Sequence, residues 1–134
     1  MKKTIWYMGM LWCCILLLAG CGLTSTESVK IRDLEYTLLT EQVIPAQLYE
    51  LIKAKGDEPF QFTYRDKDYL YISIGYGMQK TGGHRIVVEE LYLTEAAIYV
   101  STLLLGPESK EETQPHNPVI VIKTENLEEQ VIYK

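Results

Sequence analysis

The sequence predicts a mainly β domain of the α+β class, a small antiparallel β-sandwich or open barrel with one packed amphipathic helix. Three observations predict it. Short apolar runs of strand length recur from residue 31 to residue 133, one stretch near residue 50 takes helical spacing instead, and polar or glycine-rich turns separate the runs. No internal repeat or heptad is present.

The first segment is not part of that domain. Lys2 and Lys3 precede an apolar run, Ile5 to Leu18, and then Leu18-Ala19-Gly20-Cys21, so residues 1–20 read as a secretory signal peptide. The run is shorter than the ~20 residues a spanning helix needs. Leu-Ala-Gly-Cys resembles the bacterial lipobox, which implies cleavage before Cys21 and lipid on its sulfur. The expected place of the protein is then the extracytoplasmic face of a bacterial cell membrane, held there by lipid. Residues 21–30, small and polar after the cysteine, read as a tether to a single domain over 31–134.

Removing the signal alters the chemistry. Cys13 and Cys14 leave with it, so the domain folds without a disulfide. Lys2 and Lys3 leave too, and 11 basic against 18 acidic residues give a formal charge of −7. That balance argues against nucleic acid and against docking on anionic headgroups. Acyl chains gain about 0.8 kcal/mol per buried CH2, so attachment needs no basic patch.

Within the domain, Ile31 to Thr40 reads as one strand. From Pro45 to Lys55, Leu48, Leu51 and Ile52 share a helical face, with Pro45 suited to the first turn and Gly56 to the left-handed end. Phe60 to Tyr64 and Tyr69 to Ile74 flank Arg65-Asp66-Lys67-Asp68 as a hairpin, with Tyr64 expected opposite Tyr69. Phe60, Phe62, Tyr64 and Tyr71 would share one face and Leu70, Ile72 and Ile74 the other, as suits a strand between two layers. Arg85 to Leu93 and Ala97 to Leu105 form a second hairpin, whose alternation slips at Glu89-Glu90 and calls for a bulge. Val119 to Lys123 is a buried strand, Asn126 to Gln130 a short helical turn, and Val131 to Tyr133 a last strand.

Few residues invite chemistry. Gly75 to His84 places four of the nine glycines in ten residues. A dinucleotide fingerprint would need glycine at Lys80, a phosphate loop would need glycine at Gln79, and both need a helix where a strand follows. His84 and His116 lie at no ligand spacing, and no metal or cofactor is expected. Asp57, Glu58, Asp66 and Asp68 lack the EF-hand spacing and read as turn chemistry. Ser73 and Ser101 sit mid-strand without a nucleophile motif, so an enzyme is not expected. A loop of ten residues is long for a hairpin, which leaves turn and binding element both open. Tyr76, between two of its glycines, reads as exposed. Gly106 to Pro118, acidic and rich in proline, is a solvated excursion or a recognition loop.

The run from Tyr69 through Lys123, with Lys80-Thr81-Gly82-Gly83-His84 after a strand and Pro118-Val-Ile-Val-Ile-Lys123 at its end, resembles the PrcB-type C-terminal domain. His84 stands where that pattern has tyrosine, and the helix lies outside it. The resemblance implies a surface lipoprotein that stabilises or assembles a cell-envelope protease rather than cutting peptides itself. Tyr76, Lys80, Thr81, Gly82, Gly83 and His84 form the candidate interaction loop. A protease inhibitor of the chagasin type is the alternative, since that family also presents a Thr-Gly loop; its Arg-Pro-Trp loop has no counterpart here. An envelope ligand-binding module is the third, although no residue set identifies a small-molecule ligand.

Overall fold

The computed structural model describes residues 29–109 and 114–134. Residues 1–20, Cys21 and the tether up to residue 28 lie outside the described residues, as does 110–113 in the acidic loop. Two four-stranded sheets pack face to face, so the fold is the sandwich and not a closed barrel.

The expected first strand is two. β1 (Lys30–Asp33) lies in one sheet and β2 (Tyr36–Leu38) in the other. Between them Leu34 turns inward, 4 % exposed, and its amide donates to the Leu91 carbonyl at 2.9 Å. Burying one leucine at the corner carries the chain from sheet to sheet. A 3-10 turn at Glu41–Val43 follows, and then α1 (Ala46–Ala54), with Pro45 at the N-cap. Gly56 closes the helix at φ 61°.

β3 (Phe60–Arg65) and β4 (Tyr69–Gly75) pair as the hairpin, but Tyr64 stands opposite Tyr71 rather than Tyr69. Asp66 sets that register. Its Oδ1 accepts from the amides of Asp68 (2.8 Å) and Tyr69 (2.7 Å), so Asp66 to Tyr69 form the loop. These two amides hold the Asp66 carboxyl below the usual range. A shift of two preserves which side chains share a face.

β5 (Arg85–Thr94) and β6 (Ile98–Leu105) pair with the expected break, Val88 opposite Thr102 and Glu90 opposite Ser101. Glu89 is the extra residue, and Leu91 and Leu93 return to the core. Thr94 turns the hairpin by accepting from the amides of Ala96 and Ala97. β7 (Val119–Glu125) joins β2 to β4. Residues 126–130 form no helical turn; Arg65 donates to the carbonyls of Leu127 (3.2 Å) and Glu129 (2.8 Å) and draws the segment out. β8 (Val131–Tyr133) then pairs parallel to β6, an exception to the antiparallel expectation.

The sheets run β1-β5-β6-β8 and β2-β7-β4-β3. Leu70, Ile72 and Ile122 from one sheet meet Leu91, Ile98 and Val100 from the other in the inner core. On the outer face of the second sheet, Leu48 of α1 packs on Tyr71 and Val121. β4 is thus buried on both sides, as its two apolar faces require.

Candidate functional site

The glycine loop begins with a steric fit. Gly75 ends β4 opposite Phe60, and a Cβ there would lie 2.5 Å from the Phe60 ring. Only glycine lets that ring cross. Gly77 follows at φ 80°, where a Cβ would meet Pro59 at 3.1 Å and the Asp57 carbonyl at 3.2 Å. The loop is thereby pressed onto the turn between α1 and β3. The Met78 amide donates to that Asp57 carbonyl at 2.9 Å.

Tyr76 is not exposed. It is half-buried against the inner core, and its hydroxyl shares a 2.6 Å hydrogen bond with Thr102. The signal was in the alternation: residues 70, 72 and 74 face inward, and 76 continues the series one step past the strand. Gly82 is also buried. Lys80, Thr81 and Gly83 are exposed, and Gly83 holds φ 76°. The carbonyl of Thr81 can only accept, so the Nδ1–H of His84 donates to it at 2.9 Å and closes the turn. Tyr76, Gly82 and His84 are therefore partly or fully buried within the domain, and Lys80, Thr81 and Gly83 form the exposed rim of the loop.

Gln79 pairs with His116 as an isolated antiparallel bridge, donating to its carbonyl at 2.7 Å and accepting from its amide at 3.1 Å. That pairing brings the proline loop to the glycine loop. His84 and His116, 32 residues apart, consequently line one groove. The groove encloses about 460 Å³. Leu39, Ile44, Ile52 and Ile120 contribute apolar wall, and His84, Arg85, His116, Asn117 and the Tyr49–Glu41 pair are its polar groups. Asn117 donates to the Gly56 carbonyl at 2.9 Å, which leaves its buried Oδ1 without a hydrogen bond. Among the described residues, no group of three or more His, Cys, Asp or Glu could hold a metal ion.

A second cleft of about 340 Å³ opens between Phe60, Tyr76, Thr102 and Tyr133. Burial raises the Tyr133 phenol to about 12, and its hydroxyl has no hydrogen-bond partner among the described residues. Sequence reasoning missed both hollows. Each is walled by segments far apart in the chain, and only the chain's path puts them side by side.

Residues 70–125 match the family model described as PrcB C-terminal. This stretch spans β4 to β7, including both long loops. No curated protein and no solved structure gives a significant match to the chain. The matched stretch supplies the two central strands of each sheet, β7 and β4 in one and β5 and β6 in the other. All four edge strands and α1 come from outside it.

Proposed function

We propose, taking a PrcB-type C-terminal domain at residues 70–125 as the premise, that the protein is a lipid-anchored, non-enzymatic accessory subunit of a cell-envelope protease. The family suggests association with a protease complex. The match across the central strands of both sheets is the observation that carries the reading. Leu18-Ala19-Gly20-Cys21 supports the anchor, and Cys21 would carry the lipid. A rigid interaction domain fits a loop in which Gly75, Gly77 and Gly82 are buried while Lys80, Thr81 and Gly83 are exposed. Such a body would hold or assemble a protease by contact, with no chemistry of its own.

Affinity purification from gently solubilised membranes tests this. A protease is expected at stoichiometric yield, with Cys21→Ser moving the chain to the soluble fraction. Recovery of the chain alone under those conditions would sink the accessory-subunit reading.

A further inference from the structure

The groove between α1 and the two long loops has a composition that selects an occupant. Its walls are aliphatic, from Leu39, Ile44, Ile52 and Ile120. Among the described residues that line it, the only full positive charge is Arg85, which is exposed at the start of β5 and makes no hydrogen bond or ion pair with any of them. Among the described lining residues the single carboxylate, Glu41, already accepts the Tyr49 hydroxyl. A guanidinium with no partner among the described residues, beside an apolar trough, is a complementary seat for an anion with a greasy neighbour.

A further group narrows the class. The Oδ1 of Asn117 is buried without a partner, and its orientation is fixed because Nδ2 bonds the Gly56 carbonyl. An acceptor left so needs a donor from outside, and a backbone N–H is the donor every peptide carries. At about 460 Å³ the space suits a short segment of chain and is too small for a folded element.

We infer that this groove binds an extended peptide segment in which a carboxylate, from Asp, Glu or a chain terminus, lies next to an aliphatic side chain. Arg85 takes the carboxylate, Asn117 takes a backbone N–H, and the aliphatic wall takes the side chain. The inference deepens the accessory-subunit reading, on which it rests for the occupant being a segment of a protein. Part of the site lies outside the PrcB-type stretch, since Leu39, Ile44 and Ile52 precede residue 70.

Fluorescence anisotropy with the full-length protein in detergent micelles tests it. The probes are an N-acetylated, C-terminally amidated heptapeptide Ala-Leu-Asp-Leu-Ala-Ala-Lys with fluorescein on the lysine amine, and its counterpart with Asn for Asp. The acidic peptide is expected to bind about tenfold or more tightly, the scale of one charge-assisted hydrogen bond. Arg85→Gln should erase that difference, Asn117→Ala should weaken both peptides, and Glu95→Gln in the distant β5–β6 turn should change nothing. Equal binding of the two peptides, binding of neither, or discrimination that survives Arg85→Gln would overturn the assignment. So would sedimentation showing a dimer that Arg85→Gln dissolves, because a second copy would then occupy the groove. The two proposals fail separately: recovery of no protease removes the accessory role without touching the peptide measurement, and lost discrimination removes the groove without touching the purification.

Discussion

Gly77 and Gly83 both hold positive φ, yet they should respond differently to one added methyl group. Gly83 is exposed, so Gly83→Ala is charged mainly for the backbone, about 1 kcal/mol. At Gly77 the same methyl would also press on Pro59 and the Asp57 carbonyl at 3.1 and 3.2 Å. Gly77→Ala is expected to cost more than Gly83→Ala in urea denaturation; equal losses would mean that the turn after α1 yields freely. The need for glycine here was legible from composition, and which glycine does what was not. Tyr76 makes the same point, since its exposure was inferred from glycine neighbours while the alternation of β4 carried it into the core. Local flexibility says nothing about what lies across the sheet.

At the scale of elements, α1 is held by a single fully buried residue. Leu48 is 0 % exposed and packs on Tyr71 and Val121, while Ile52 and Leu51 lie nearer the surface. Leu48→Ala should cost roughly 2–5 kcal/mol by denaturant unfolding, and hydrogen exchange should quicken in α1 before it does in β4. A loss well under 1 kcal/mol would show that the helix can resettle on the sheet. Periodicity located this helix, both hairpins and the bulge at Glu89, because each is written in a local pattern of apolar residues. It failed at residues 31–40 and 126–130. In the first, the chain leaves one sheet for the other at Leu34; in the second, Arg65 takes the carbonyls of Leu127 and Glu129, 62 and 64 residues further along the chain. Neither partner is within reach of a sequence window.

The whole molecule has two apolar layers, and a tyrosine hydroxyl reports on each. Tyr71 lies in the layer beneath α1 and Tyr133 against the core between the sheets. Burial raises the Tyr71 phenol to about 12, helped by its hydrogen bond to Asp66, and burial alone does the same for Tyr133. Above the ordinary value of 10 the unfolded chain loses these protons while the folded chain keeps them, so stability must fall as pH rises from about 10 to 12. Tyr71→Phe or Tyr133→Phe should each flatten that decline in melting temperature, and each should remove one late-titrating phenol from the phenolate absorbance. An unchanged slope in both variants would refute the burial of these hydroxyls. By itself the sequence determined the mainly β class with one helix, the place of a glycine loop and the PrcB-type stretch, because alternation, turn residues and a local motif are properties of neighbours in the chain. Only the tertiary structure decided that this stretch forms the middle of both sheets, that Tyr76 faces inward, and that His84, Arg85 and His116 share a groove with α1. Those outcomes depend on which distant surfaces bury one another, and hydrophobic burial has no direction until the chain has folded.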